Sequence, residues 1–492
     1  MMQSGGPMKK HFFFILIFLF FAFLRVSFAQ DAVIEVQNKP LHKINKFIYG
    51  NFVELLGSSD GGYRAAWDDK KDNFRADVMQ KFKELSIPIL RFPGGCFADT
   101  YHWEDGVGDR KKRKTLPNLH WGGTEDNKIG TDEFLQMCKT LHIEPYLTVN
   151  FGSGTPEEAA EWVEYVNKTK KYNVTYWEIG NEIYGGWEKG STTAYDYAKR
   201  YLLFARAMKK VDKNIKLIAV AGATPFLGQR WNKKLLEIAG DEIDYLDLHF
   251  YPPGVTTALK GEALYYLVQA QPDVVAGIVS QVKQAIDTSG KKHVKIAVAE
   301  WNVGGVPDAL EERLASGIFA GSLLNWFQRM GEYVEIGNFA QLVNTNWSIT
   351  AVKVNKEKSY GTAPYYALKM YSEHTGENAL PVSVKSGMFR VGAKDLYYLD
   401  AAASMDSKKV YLHVVNRHFK DSITAELKLE NFSVKKDAVV YALTADSTDA
   451  INTYDAPKNI KLKTGAVHDA GSAFSYTFPA HSITVLELSF VK

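Results

Sequence analysis

The sequence predicts an α/β protein: a closed (β/α)8 TIM barrel followed by a C-terminal antiparallel β-sandwich. Three observations carry this reading. Through the first three quarters of the chain, short runs rich in Ile, Val, Leu, Tyr and Phe alternate with amphipathic helical stretches, as parallel strands covered on both faces require. There are eight such runs, which suits closure into a barrel. From about residue 380 strands follow one another without long helices between them.

The 492-residue chain opens with a basic start at Lys9, Lys10 and His11, an apolar run over 12–24, and small residues at Ser27 and Ala29. This is the layout of an export signal cleaved after Ala29, leaving Gln30 first. As a helix the apolar run spans only about 20 Å, short of the roughly 30 Å of a hydrocarbon core, so a membrane anchor is not expected. The expected organisation is a leader at 1–29, a strand in 30–44 that joins the sandwich, a catalytic barrel over 45–376 and the sandwich over 377–492.

The eight barrel strands are expected at 47–54, 87–92, 143–150, 176–180, 216–221, 244–250, 295–301 and 338–342. Helices are expected at 131–141, 156–167, 194–211 and 308–330, the second capped by Thr155 with Pro156 in its first turn. The stretch 47–57 lacks the glycine spacing of a phosphate-binding turn, which argues against a doubly wound sheet. The sandwich strands are read at 397–400, 410–416, 424–429, 438–445, 474–478 and 483–490, with 32–36 free to complete a sheet.

Removing the leader takes away Lys9, Lys10 and Arg25 and no acidic residue, so the formal charge of +3 falls to zero. A nucleic-acid surface is therefore not expected, and the basic run from Arg110 to Lys114 reads as a solvated loop. Cys96 and Cys138 are the only cysteines, so neither a disulfide framework nor a Cys/His metal site is expected, and no cofactor is called for.

In a barrel of this kind the chemistry sits where the strands end at their C-termini. The fourth strand runs out through Trp177-Glu178-Ile179-Gly180-Asn181-Glu182, where alternation turns Glu178 and Glu182 to the same side. The seventh ends Ala299-Glu300-Trp301-Asn302, an abrupt carboxylate after small and apolar residues. A single glutamate at a strand end reads equally as a surface ion-pair residue. Two of them, across the mouth of one barrel and each beside Asn and Trp, point to cleavage of a glycosidic bond, which needs one carboxyl to protonate the leaving oxygen and another to face the oxocarbenium-like carbon. A gap of roughly 5 Å would make the second a nucleophile with retained configuration, and a wider one would admit water and invert it.

The run Arg91-Phe92-Pro93-Gly94-Gly95-Cys96-Phe97, continuing to Tyr101-His102-Trp103-Glu104-Asp105-Gly106, resembles the second-strand motif of the α-L-arabinofuranosidases of glycoside hydrolase family 51. So do Gly130-Thr131-Asp132-Glu133-Phe134, the stretch from Val149 to Gly154, the stretch from Glu161 to Asn167, Trp177 to Glu182, Leu248-His249-Phe250-Tyr251, Glu300-Trp301-Asn302, and Ala340 to Asn344, in the family's order. The resemblance covers nearly all of the chain after the leader. It implies Glu182 as acid/base, Glu300 as nucleophile, Asn181 as the contact to the hydroxyl beside the reacting carbon, and Glu54, Arg91, Cys96, Tyr251 and Gln341 as further sugar contacts, with Tyr251 orienting the nucleophile.

Several of these residues have plainer readings. Arg91 also reads as an ion-pair partner of a barrel carboxylate, Cys96 as a small buried hydrophobe, and Tyr251 and Trp187 as rim packing. His249 reads as a hydrogen-bonded core histidine. The sequence departs from the family pattern at Ala299, where Asp is expected, and over Ile183-Tyr184-Gly185-Gly186-Trp187. The expectation is an exported enzyme releasing terminal arabinofuranosyl residues from plant polysaccharides or oligosaccharides by double displacement, with a homo-oligomer implied by the resemblance. Another retaining activity on the same barrel, endo-β-glucanase or β-xylosidase, is the nearest rival, and a non-catalytic polysaccharide-binding protein is the rival from another class.

Overall fold

The apolar runs close on one another in a computed structural model, which describes residues 32–57, 61–223, 225–254, 258–306 and 310–491. The expected leader lies outside the described residues. Eight parallel strands, Gly50–Phe52, Ile89–Phe92, Glu144–Val149, Tyr176–Ile179, Lys216–Val220, Tyr245–Phe250, Lys295–Trp301 and Val334–Ala340, pair in chain order, and the last returns to the first to close the barrel. Inside it Ile89, Tyr146, Ile218, Tyr245, Ala297, Ala299 and Ile336 pack together, with Phe47 and Tyr176 against them. The barrel is thus a filled core, and its open end is the end where the strands stop.

The edges differ from the sequence reading for local reasons. The first strand is shorter because Asn45 caps a 3-10 turn over Lys46–Tyr49, its side chain accepting from Phe47 N–H at 3.0 Å. The eighth begins earlier, at Val334. Glu335 and Gly337 hid that half from a reading of apolar runs, but Tyr245 O–H donates to Glu335 at 2.8 Å and keeps it in place. Helices Thr131–Leu141 and Ala194–Val211 match the periodicity, and Thr155 Oγ1 accepts from Glu158 N–H at 3.1 Å as the cap of Pro156–Val163. The last long barrel helix of the reading is Leu314–Arg329, after a 3-10 turn at Leu310–Glu312; its expected first residues lie outside the described ones.

The second unit has two sheets. One orders Val382–Lys385, Ala32–Gln37, Ile423–Glu430 and Ala473–Phe478; the other orders Asn378–Leu380, Leu399–Met405, Lys409–Asn416, Ser482–Phe490, Val434–Leu443 and Lys463–Val467. The N-terminal strand lies inside the first sheet and pairs parallel with Ile423–Glu430, the exception to an otherwise antiparallel arrangement. It is buried there through Ala32, Ile34 and Val36. The expected strand at 397–400 is divided: Lys394–Tyr397 forms a hairpin with Met388–Val391, and Leu399 starts a longer strand.

Helix Leu314–Arg329 is buried on almost every side because it lies between the barrel and the second unit. Ile483 and Val415 stand against its Gly321, where even a methyl group would come within 2.6 Å of Ile483. Asp400 fixes the same helix by accepting from Asn325 Nδ2 at 2.9 Å and pairing with Arg329 at 2.9 Å. Among the described residues no helix is long and apolar enough to cross a membrane.

Candidate active site

The strand ends surround a pocket of about 750 Å³ whose walls include Glu54, Cys96, Asn181, Glu182, Tyr251, Glu300 and Gln341. Seven of the eight residues singled out from the sequence therefore line one cavity, and the eighth, Arg91, lies buried beneath it. Three tryptophans, Trp121, Trp187 and Trp347, stand around it.

Arg91 organises the floor. Its Nε donates to Glu178 Oε2 at 2.7 Å, Nη1 to Glu300 Oε1 at 2.6 Å and Nη2 to Asn181 Oδ1 at 2.8 Å. A fully buried guanidinium needs this pairing, so the ion-pair reading of Arg91 and its place at the site are the same fact. The Pro-Gly-Gly turn after it follows from lack of room: a Cβ on Gly95 would lie 2.7 Å from Glu300 Oε1, and one on Gly94 would lie 2.7 Å from Glu54 Cγ.

Glu300 is held from both sides, since Tyr251 O–H donates to its Oε2 at 2.6 Å while Arg91 occupies Oε1. Glu182 has a different setting. The fourth strand ends at Ile179, and Gly180 (φ +83°) and Glu182 (φ +42°) turn the chain away, so alternation does not extend to Glu182. Its carboxylate accepts from Trp187 Nε1 at 2.8 Å and from Tyr184 O–H at 3.2 Å, and it faces His249 Nδ1 at 3.1 Å. The segment that departs from the family pattern therefore supplies two of the partners of Glu182. Trp187 is more than rim packing.

His249 stands between the two glutamates. Its Nδ1 is 3.1 Å from Glu182 Oε1 and 3.7 Å from Glu300 Oε1, and its Nε2 is 2.7 Å from Asp247 Oδ2. Those two legs from one atom place the facing carboxylate oxygens at most 6.8 Å apart. Burial alone would drive the proton off His249, but the charges of Asp247 and Glu300 hold its pKa well above the ordinary value. Burial would raise Glu182 as well; the hydrogen bond and charge of His249, with Trp187 and Tyr184, bring it below the usual range. The pair thus holds a proton that rests on the imidazole side.

Two further carboxyls shape the loops. Glu54 Oε1 accepts from the backbone N–H of Gly95 and Phe97, each at 3.1 Å, and Oε2 from Gln341 Nε2 at 3.3 Å; burial and the charge of Glu300 push its pKa up to about 8. Asp99 accepts from the N–H of Phe151, Gly152 and Asn181 at 2.9–3.0 Å, tying the ends of the second, third and fourth strands together. Burial pushes it up to about 7.

Asp99, Asp247 and Glu188 are not singled out by the sequence, which reads His249 as a core residue. Asp99 lies in a single 3-10 turn and Glu188 in a loop, where no periodicity marks a face. Asp247 and His249 sit two apart on one strand, an alternation that was available as a signal.

The chain matches the model of the α-L-arabinofuranosidase 1 domain over residues 81–261 and that of the α-L-arabinofuranosidase C-terminal domain over residues 299–482. It is 31% identical to α-L-arabinofuranosidase C of Emericella nidulans, over 91% of this chain and 95% of that one. The chain belongs to the α-L-arabinofuranosidases of glycoside hydrolase family 51. A second relative of this arabinofuranosidase is the intracellular exo-α-L-arabinofuranosidase of Bacteroides ovatus, 29% identical over 95% of this chain and 97% of the other. Among solved structures, the family 51 arabinofuranosidase of Thermotoga petrophila superposes with a TM-score of 0.82 at 33% identity, covering 93% of this chain and 99% of that one. The barrel with its appended sandwich is thus the architecture of the family.

Proposed function

We propose that the protein is a retaining α-L-arabinofuranosidase that releases terminal arabinofuranosyl residues from arabinose-containing plant polysaccharides or oligosaccharides, with Glu300 as nucleophile and Glu182 as acid/base. The observation that carries this is the pair of carboxylates facing one another across at most 6.8 Å, each held differently. Carboxyls roughly 5–5.5 Å apart suit direct attack, whereas a separation of about 6.5–9.5 Å is needed to seat a water. The bound, which applies to one oxygen of each carboxylate, is compatible with the closer arrangement and supports the retaining reading.

In the first step Glu300, aimed by Arg91 and Tyr251, attacks the anomeric carbon while the leaving oxygen takes the proton that Glu182 shares with His249. As Glu300 becomes an ester its charge disappears, and with it part of what held the proton on the imidazole. In the second step Glu182 accepts a proton from water, which attacks the glycosyl-enzyme. Asn181 is fixed for one orientation, its Oδ1 taken by Arg91 and its Nδ2 by Glu188 at 2.9 Å, which suits a contact to a single hydroxyl. The arabinofuranosidase names of the relatives favour this sugar over a β-glucan or xylan. The basic start and apolar run of the N-terminus favour export, and the purified mature protein should then begin at Gln30.

The test is rescue by azide. Glu182→Ala should keep glycosyl-enzyme formation on a nitrophenyl arabinofuranoside, whose leaving group needs little protonation, and lose about 10²–10⁴-fold on natural linkages. Azide should restore its turnover and give the glycosyl azide with the substrate's configuration. In Glu300→Ala azide should give the opposite anomer. Exchanged anomers would reverse the two roles, and free arabinose as sole product from arabinan or arabinoxylan would fix the sugar and the terminal mode of attack.

A further inference from the structure

Two side chains that line the pocket, Cys96 after the second strand and His120 on the long loop that follows, meet the buried Glu188 beyond the fourth strand, and none of the three takes a step in the hydrolysis above. One ligand atom of each, the thiol sulfur, a ring nitrogen and a carboxylate oxygen, lies within 4.8 Å of the other two. Their separation in sequence kept this cluster out of any spacing pattern.

The second observation is an orphaned oxygen. Glu188 is only 5% exposed, burial pushes its pKa up to about 8, its Oε1 accepts from Asn181 Nδ2, and the buried Oε2 has no partner in good hydrogen-bond geometry among the described residues, with only the Cys96 thiol beside it. A buried carboxylate oxygen left so is costly unless a proton or a cation answers it. The group beside it is the Cys96 thiol, itself 3.8 Å from Asn181 Nδ2. A carboxylate, a thiol and an imidazole converging on an enclosed spot form a donor set for a borderline-soft divalent cation, with three protein ligands and a fourth position open to the pocket.

We propose that Cys96 Sγ, His120 and Glu188 Oε2 form a binding site for a thiophilic divalent cation, typified by Zn2+, whose occupancy blocks the sugar pocket. The blocking part rests on the arabinofuranosidase reading, because Cys96 and Asn181 are the sugar contacts that the ion would take or crowd. Tetrahedral zinc needs ligand atoms about 3.3–3.8 Å apart, so from separations of up to 4.8 Å the ligands must draw in by at most about 1.5 Å. His120 can supply that movement: its ring is half-buried at the pocket rim and held there by an edge-on contact with Trp121 (ring centroids 4.7 Å apart) with no hydrogen bond to its ring nitrogens among the described residues, while its backbone N–H donates to Asn118 Oδ1 at 3.2 Å and anchors the loop. Binding forms a metal–sulfur bond and releases the thiol proton to solvent, as does any proton held on Glu188. No oxidant or reductant is involved.

The full-length protein should be titrated with Zn2+ by calorimetry and, separately, with Co2+ while recording the near-ultraviolet thiolate-to-metal charge-transfer band. One cation per chain and a thiolate band are expected. Cys96→Ser should abolish the band, Glu188→Gln and His120→Ala should each weaken Zn2+ at least tenfold, and thermal unfolding should confirm that each variant is folded. His120→Ala, altered at a half-buried position on the pocket rim, keeps the test alive if Glu188→Gln fails to fold. The sugar that the enzyme releases should displace the ion. A missing thiolate band, or wild-type Zn2+ affinity in folded Glu188→Gln and His120→Ala, overturns the site, and Zn2+ affinity unchanged by saturating product overturns the blocking. Because binding is read directly, absence of arabinofuranosidase turnover would defeat the functional reading while leaving the cation result intact.

Discussion

The mouth of the barrel and the face it presents to the sandwich are both buried, and they are built from opposite materials. Around the mouth, Glu54, Asp99, Glu178, Asp247 and Glu300 are all nine-tenths buried or more, with Arg91 and His249 as the cations among them. At the sandwich, helix Leu314–Arg329 meets Ile483 and Val415 and pairs with Asp400 through Arg329. Crowded carboxylates are costly to fold and useful to chemistry. Apolar contact is the reverse, stabilising by about 25 cal/mol for each Å² buried and doing nothing at the bond that breaks.

The largest expected effect sharpens this contrast. Glu300→Ala should lower kcat/KM on a nitrophenyl arabinofuranoside by at least about 10⁴-fold while leaving unfolding stability within about 1 kcal/mol of the parent or above it, since a crowded carboxylate has gone and Arg91 keeps Glu178 and Asn181. A large loss of stability in denaturant unfolding would break the comparison.

The interface should answer in the opposite way. Ile483→Ala removes a fully buried side chain packed on Gly321 and should cost about 2–5 kcal/mol in denaturant unfolding, with kcat of the folded fraction unchanged. Removal of 377–492 altogether should yield aggregated protein, because the strand Ala32–Gln37 loses both of its neighbours and helix Leu314–Arg329 is exposed.

A smaller effect concerns pH. Glu54 and Asp99 keep their protons up to about 8 and about 7 in the folded protein, whereas the unfolded chain releases them near the ordinary carboxyl values. Their contribution to stability is therefore full below about pH 4 and is lost as pH rises towards those folded values. Glu54→Gln should flatten the decline between about pH 5 and about pH 8 by at most about 1.4 kcal/mol per pH unit. A decline as steep in the variant as in the parent would show Glu54 ionised. The least effect is chemical: Cys96 and Cys138 are both free, so alkylation of denatured, unreduced protein should modify both, as read by mass spectrometry.

Legibility in the sequence followed whether a residue obeys a period. The eight barrel strands and the helix caps were readable because burial on two faces and the needs of a helix N-terminus restrict residue choice locally. Glu300 stood out as a charge breaking an apolar run. Glu188 and Asp99 gave no such signal, since each acts on groups brought near only by folding.

What the sequence determined by itself was the barrel and the sandwich that follows it, together with the positions of Glu182 just beyond the fourth strand and Glu300 on the seventh as candidates, because each is marked by neighbours within a few positions and by the family's ordered motifs. Only the tertiary structure decided that His249 stands between Glu182 and Glu300 and limits their separation, that Arg91 holds Glu178, Glu300 and Asn181 with one guanidinium, and that Cys96, His120 and Glu188 converge. The reason is closure: the barrel sets strands far apart in sequence side by side or across one mouth, and distances between their side chains exist only once it has closed.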